Sequence, residues 1–295
     1  MLCSRLRRTV RLLCPPLFLQ LYECLTGVRY FGNYPDWESA AAECDGYEAD
    51  LILKTVMSSV EKVLRGEAVF ERDSQLFFTE APEGELLAAV LLAAAGKKEL
   101  SVIDFGGGLG SSFFQNRRFL EELPSVSWNI VEQRNFVDAG KRLPMPGCVR
   151  FYDRLEAALQ DRTPDIIIFS CVLPYLPDPW RILRLAREVE PEFIFVGRTL
   201  LRYQQDHERI AIQKVPARLY QARYPIRLIG DRQLLKFMDE RYRLVSRYGS
   251  WAGEIRLNGE SGPVRYENML WRRLPCAKIA AGQLHSRESD DILSQ

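Results

Sequence analysis

The chain has 295 residues, with 40 Lys and Arg against 39 Asp and Glu and a formal net charge of +1. That length suits one large domain, or one domain with substantial additions, and can bury a sizeable core. The balanced charge carries no global nucleic-acid signature. Seven scattered cysteines without a CxxC pair, beside only two histidines, argue against a disulfide scaffold or a metal site and favour a reducing, cytoplasmic setting.

Residues 1–26 form a basic and apolar segment. Arg5, Arg7, Arg8 and Arg11 come before the first acid, Glu23. Leu2, Leu6, Val10, Leu13 and Leu17 lie near helical spacing, interrupted at Pro15-Pro16. The apolar run 17–21 is too short to span a bilayer, which takes ~20 apolar residues. No clear small-x-small cleavage site comes after it. Two readings stay open: a helix packed on the domain with its arginines in solvent, or a basic amphipathic segment resting on an anionic membrane face.

Residues 27–98 read as a mainly helical extension. Asp36, after Pro35, suits the N-cap of a helix reaching Glu43, and Gly46-Tyr47 breaks it. Ile52, Val56, Val60 and Val63 recur near a period of 3.6, so a second helix runs to about Leu64 and Gly66 ends it. Segment 85–95 is apolar and alanine-rich, a buried helix stopped by Gly96.

From Leu100 apolar runs alternate with helical segments, the pattern of βαβ units and a parallel sheet. Strands are expected at 100–105, 127–132, 148–152, 165–170 and 192–197. Helices are expected at about 111–122, 134–140, 154–160 and 180–188. Two late strands are expected at about 242–248 and 266–273, with 249–263 a long polar connection between them. Residues 199–235 interrupt the alternation as an insertion within a main domain spanning 99–274. The polar tail, 275–295, is expected to be disordered.

The stretch Val102-Ile103-Asp104-Phe105-Gly106-Gly107-Gly108-Leu109-Gly110 reads as a buried strand turning tightly into a helix. Taken from Gly106, the dinucleotide fingerprint G-x-G-x-x-G fails at its third glycine, where Ser111 stands. The spacing D-x-G-x-G-x-G is complete instead, in Asp104, Gly106, Gly108 and Gly110. It resembles the first motif of class I methyltransferases, which use S-adenosylmethionine. The resemblance implies that Gly106, Gly107, Gly108 and Gly110 let the backbone pass close to the methionyl part and ribose, with Asp104 near the amino end. Glu132 ends the next strand, where a carboxylate can accept both ribose hydroxyls, with Gln133 beside it. Phe151-Tyr152-Asp153 falls near the adenine in the resembled fold; Asp153 can accept from an amino group there, or it can simply cap the helix from Arg154. The apolar run from Asp165 reads as a strand buried on both faces, and the residues after it, to Leu176, resemble the segment flanking the transferred methyl. Ser170, Cys171, Val172 and Tyr175 are candidates there, against a loop that only packs on the sheet.

The expected fold is thus α/β: a doubly wound, Rossmann-like class I methyltransferase sheet of seven strands, the last pair antiparallel, with an N-terminal helical extension. A narrower likeness lies in Tyr30-Phe31-Gly32-Asn33-Tyr34-x-x-Trp37-Glu38-x-Ala40, Asp45-Gly46-Tyr47, Glu71-Arg72-Asp73-Ser74, Val131-Glu132-Gln133, and Gln213-Lys214-Val215-Pro216 with Tyr220 and Tyr224-Pro225. These resemble a family of bacterial proteins classed as methyltransferases and often met among genes for surface-polysaccharide synthesis. The likeness reaches to about Arg273. It implies S-adenosylmethionine and a cytoplasmic enzyme with a small-molecule or glycan-linked acceptor, and it names no acceptor atom.

If that acceptor is a hydroxyl, a general base helps remove its proton. His207, within 199–235, is a candidate against an exposed helix-face histidine; Asp206 and Glu208 share its uncertainty, and His285 lies in the tail. Arg198, at the end of the fifth strand, is placed to hold an anionic group. Tyr30 to Trp37 either stack on a ligand or pin an N-terminal segment to the core. A non-catalytic scaffold in a membrane-associated glycan-assembly complex is the alternative. An NAD-dependent oxidoreductase is disfavoured by Ser111, and no D/N-P-P-Y/F motif of nucleic-acid methylation comes after the fourth strand.

Overall fold

The computed structural model describes residues 28–44, 49–160, 162–216, 222–255 and 257–275. The expectations for residues 1–26, for Gly46-Tyr47 and for the tail past Pro275 lie outside these. In chain order the first elements are β1 (Arg29–Tyr34), α1 (Trp37–Ala42), α2 (Ala49–Leu64), β2 (Phe70–Arg72), β3 (Gln75–Phe77) and α3 (Gly84–Ala94). Then come β4 (Leu100–Phe105), α4 (Ser111–Leu120), β5 (Val126–Val131), α5 (Arg134–Gly140), β6 (Val149–Tyr152) and α6 (Leu155–Ala158). They are succeeded by β7 (Ile166–Ser170), a 3₁₀ turn (Leu173–Tyr175), α7 (Pro179–Glu188), β8 (Phe193–Arg202) and β9 (Arg209–Val215). The last are β10 (Ala222–Gly230), α8 (Asp231–Asp239), β11 (Tyr242–Ile255) and β12 (Val264–Arg273). Among the described residues no helix is long and apolar enough to cross a membrane.

The described residues divide into two compact units, the smaller made of residues 28–44, 209–216, 222–226 and 257–259. In it β1 runs antiparallel to β9, from Arg29 opposite Lys214 to Tyr34 opposite Ile210, with a bulge after Phe31. Asp36 caps α1 as expected, accepting from Ser39 N at 2.7 Å. Tyr34 and Trp37 pack on buried Ala40, Ile210 and Ile212, and Tyr34 donates its hydroxyl to Glu43 at 2.8 Å. Arg209 donates to Gly32 O and, at 3.0 Å, to Asn258 O.

In the larger unit the sheet order is β6-β5-β4-β7-β8-β12-β11. Strands β4 to β8 are parallel. β12 is antiparallel to both β8 and β11. This is the expected seven-stranded sheet with a reversed last strand, and the end of β10 adds a short parallel pairing, Ile229 with Leu201 and Gly230 with Arg202. Alternation along the central strands separates two cores. Val102, Ile166 and Ile168 face α2 to α5, while Ile103, Ile167 and Phe169 face α6, α7 and α8. All four residues 166–169 are fully buried. At roughly 1.5–3 kcal/mol for each such side chain, β7 has no solvated face to give up.

Three expectations change. Residues 27–98 hold more than helices: besides α1, α2 and α3 they carry β1 and the β2–β3 hairpin, with Arg72 opposite Gln75. Asp73 and Ser74 form its two-residue turn, both with positive φ, the signature of a type I′ hairpin. Three-residue strands are too short to show a period of two. Residues 199–235 carry the end of β8, then β9, β10 and the start of α8. The polar connection 249–263 is shorter, because β11 continues to Ile255, with Trp251 65% exposed on it.

Candidate functional site

The C-terminal ends of the parallel strands carry the site in the larger unit. After β4 the chain turns through residues 106–110, with Gly106 N donating to Val131 O at 2.9 Å and Gly110 N to Gly107 O at 3.0 Å. Gly106 has φ +75, and a Cβ there would run into Val172. At Gly107 a Cβ would lie 2.6 Å from the Asp104 carboxylate. The loop is glycine because it is wedged between an acid below and the post-β7 segment beside it. Gly110 is the N-cap of α4 and offers no side chain to the first turn, so the helix's leading N–H groups stay open to a ligand.

Asp104 is buried beneath this loop. Its Oδ2 accepts from Trp128 Nε1 at 3.3 Å. Its Oδ1 has no partner in hydrogen-bond geometry, although Ser112 lies near enough to favour the ionised form. Burial pushes the carboxyl up to about 7, against the pull of Trp128 and with a further push from Glu132. Glu132, just past β5, accepts from Gln133 N at 2.6 Å and draws on the N–H of Gly108. Burial raises its pKa and those two N–H groups oppose the rise.

After β7 the backbone turns sharply. Cys171 has φ +57 and its N–H goes to Gly197 O at 2.8 Å. Burial pushes its thiol up, and neighbouring Arg198 opposes this. Arg198 sits where β8 bulges: Glu267 pairs with Thr199 but Met269 with Val196, so β8 carries one residue too many. There Arg198 takes φ +46 and gives its N–H to Asn268 Oδ1 at 2.7 Å. The bulge directs its guanidinium at Ser170, whose Oγ accepts from Nε at 3.4 Å and Nη2 at 3.3 Å. Glu83 Oε2 lies 3.8 Å from Arg198 Nε. Tyr175, half-buried, closes the 3₁₀ turn.

The hairpin that sequence periodicity does not reveal also lies here. Glu71 is buried; its Oε1 accepts from Ser111 Oγ and its Oε2 from Ser74 N at 3.1 Å. It therefore ties the hairpin to the start of α4, directly after the glycine loop. Arg72 stacks on Phe77 (5.1 Å) and on exposed Trp251 (4.6 Å). Burial lowers its pKa, and Arg198 lowers it further. Glu71-Arg72-Asp73-Ser74 was readable as a motif; Glu83, Trp251 and Asn268 gave no sequence signal.

Other expected residues stand apart. Asp153 is exposed and 3.7 Å from Arg154 Nε; it does not cap α6, whose N-cap is Arg154 without a side-chain bond. Gln133 is exposed at the N-cap of α5. His207 is exposed in the turn after β8, not on a helix face, and its carbonyl accepts from Arg202 at 2.9 Å. Glu208 accepts from Trp180 Nε1 at 2.8 Å and pairs with Arg227, a structural role. Asp206 lies 3.7 Å from Arg232. Among the described residues no group of His, Cys, Asp or Glu is placed to hold a metal ion.

No family model and no curated protein matches the sequence. Solved structures do resemble the fold. The CcbJ methyltransferase from Streptomyces caelestis has a TM-score of 0.45 and 17% identity, over 75% of this chain and 98% of its own. The N-terminal domain of EvdMO1, crystallised in the presence of SAH and D-fucose, has a TM-score of 0.48 and 12% identity, over 77% and 98%. An S-adenosylmethionine-dependent methyltransferase from Clostridium acetobutylicum has a TM-score of 0.42 and 8% identity, over 72% and 95%. Likeness at this level carries no residue role to this chain. The strand order and the parallel β4 to β8 by themselves make the sheet Rossmann-like, closed by the reversed β12.

Proposed function

We propose that this protein binds S-adenosylmethionine and transfers its methyl group to a small-molecule or glycan-linked acceptor. Asp104 carries the reading: a buried carboxylate with one unpartnered oxygen beneath a glycine loop suits a ligand that brings its own positive charge. Gly106, Gly107, Gly108 and Gly110 would cradle the ligand, and Glu132, already accepting from backbone N–H groups, would take the ribose hydroxyls. Gln133 and Asp153 would lie toward the adenine, and Ser170, Cys171 and Tyr175 toward the methyl group. Bound there, the ligand supplies an electrophilic methyl on a sulfonium. The chain's own work is then to position, to exclude water and to move a proton.

A nicotinamide dinucleotide suits these residues less well. Ser111 stands in place of the third glycine, and β12 is antiparallel to both of its neighbours. The setting implied by the narrower resemblance is surface-polysaccharide synthesis in the cytoplasm, with any membrane contact falling to residues 1–26. Titration calorimetry with S-adenosylhomocysteine tests the reading. Micromolar-range binding is expected, and no binding at millimolar ligand would sink it.

A further inference from the structure

A second buried carboxylate stands at the same end of the sheet, and cofactor binding makes no use of it. Glu83 is the N-cap of α3, and its side chain makes no bond to the helix N–H groups. Its side chain is 3% exposed and leans on Arg198 instead. Oε1 is buried with no partner at all. Glu71 is the instructive contrast. It is as deeply buried, but Ser111 and Ser74 occupy both of its oxygens. An unmade bond on a buried carboxylate costs about 1–3 kcal/mol or more, so one that persists beside a ligand site points to a ligand group that completes it.

Building on the methyltransferase reading above, we propose that Glu83 is the acceptor-side general base, its Oε1 receiving the proton of the hydroxyl that is methylated. In that step the acceptor oxygen forms its bond to the methyl carbon, the carbon–sulfur pair leaves with sulfur, and the O–H proton passes to Oε1. Arg198 is a positioning residue, fixed by the β8 bulge and by Ser170. It is not free to hold an anionic acceptor group, because Glu83 already offsets its charge. What Glu83 offers is an acceptor oxygen, which selects a hydroxyl. The groups facing Glu83 are Arg198 from β8, Arg72 from β2, Cys171 after β7 and Glu85 on its own helix. Burial raises the carboxyl against the pull of the two arginines, which makes it a stronger base than an exposed carboxylate.

The test uses the full chain and Glu83→Gln. Three quantities are measured: affinity for S-adenosylhomocysteine, the urea unfolding midpoint, and tritiated methyl transfer from S-adenosylmethionine to glycerol, methyl α-glucoside and catechol. Affinity is expected to hold, and the midpoint to fall, since Arg198 loses the carboxylate that offsets its charge. Transfer should fall roughly 10²- to 10⁴-fold, and the wild-type rate should rise with pH along a limb the variant lacks. Glu83→Asp should recover part of the rate. Equal transfer by wild type and Glu83→Gln overturns the proposal, as does a slower variant that keeps the wild-type pH limb, the mark of a merely structural ion pair. It is also overturned if a wild type that binds S-adenosylhomocysteine methylates none of the three probes. Failure of the wild type to bind S-adenosylhomocysteine overturns the methyltransferase reading itself, and this assignment with it.

Discussion

Asp104→Asn should make the ligand-free protein more stable and its cofactor site worse. Burial lifts this carboxyl from an ordinary 3.8 to about 7. At 1.36 kcal/mol per decade, keeping it ionised above pH 7 costs on the order of 4 kcal/mol. The sign comes from proton binding. Between about pH 4 and 7 the folded chain holds a proton that the unfolded chain has released. Asp104 therefore removes stability as pH rises through that window, and the full loss is present above it. Asn keeps the shape and can still offer an oxygen to Trp128 Nε1, but it buries an amide of its own at about 1–3 kcal/mol. The net gain should be about 1–3 kcal/mol at pH 8.5, shrinking toward zero near pH 5. Urea unfolding with linear extrapolation at three pH values measures it. Calorimetry in parallel should show S-adenosylhomocysteine bound about 10- to 100-fold more weakly, as expected for one lost charge-assisted contact. A variant less stable than wild type at pH 8.5, or a difference that ignores pH, refutes the reasoning.

Glu132→Ala should weaken S-adenosylhomocysteine binding about 100-fold or more, because hydrogen bonds to a charged group contribute about 1.5–3 kcal/mol each. Unchanged affinity by calorimetry would remove Glu132 from the site. Gly106→Ala and Gly108→Ala both place a Cβ at positive φ, about 1–2 kcal/mol of strain. Only the first also drives it into Val172, whereas Gly108 has open space around it. Thermal melts should therefore rank Gly106→Ala clearly below Gly108→Ala, and equal melting points would refute the wedged loop. Lys97 donates to Asp165 and Glu192, each at 2.8 Å, in a half-buried cluster at the N-terminal ends of β7 and β8. Lys97→Met should cost about 1–2 kcal/mol in urea unfolding and leave ligand affinity unchanged; a shift in affinity would couple the two ends of the sheet.

The main sheet was legible because β4, β7 and the parallel part of β8 are apolar runs with turn signals at both ends, and α4, α5 and α7 fill the spaces between them. Asp104, the glycines and Glu132 were legible because a tight strand-to-helix turn leaves a spacing. Glu83 left none. It looks like a helix-start acid, and only its failure to cap sets it apart. Arg198 was visible as a strand-end arginine, but its orientation depends on a bulge against β12, whose partner Asn268 is 70 residues away. Pairing across such a distance has no local signature. His207 attracted notice as one of two histidines, and scarcity alone proved a poor guide to position: it lies exposed in a turn.

Strain and unmet polar groups are spread over the fold: Glu190 and Gln204 also take positive φ, and Asn116, Asn129, Asp231 and Trp271 also bury polar atoms without partners, but some of them lie beside the glycine loop. Asp73, Ser74, Cys171 and Arg198 take positive φ there without being glycine. Asp104 Oδ1, Glu83 Oε1 and Asn268 Nδ2 are buried there without partners. At the opposite end of the sheet Asp165 is satisfied, by Lys97 and by Ser101 N at 2.7 Å. Each such cost is worth about 1–3 kcal/mol, and those beside the glycine loop are the ones that a bound ligand would complete. Asp104 and Glu83 divide the work by environment. Asp104 lies under the loop that would hold a cationic ligand, and Glu83 beside an arginine that fixes it toward the acceptor.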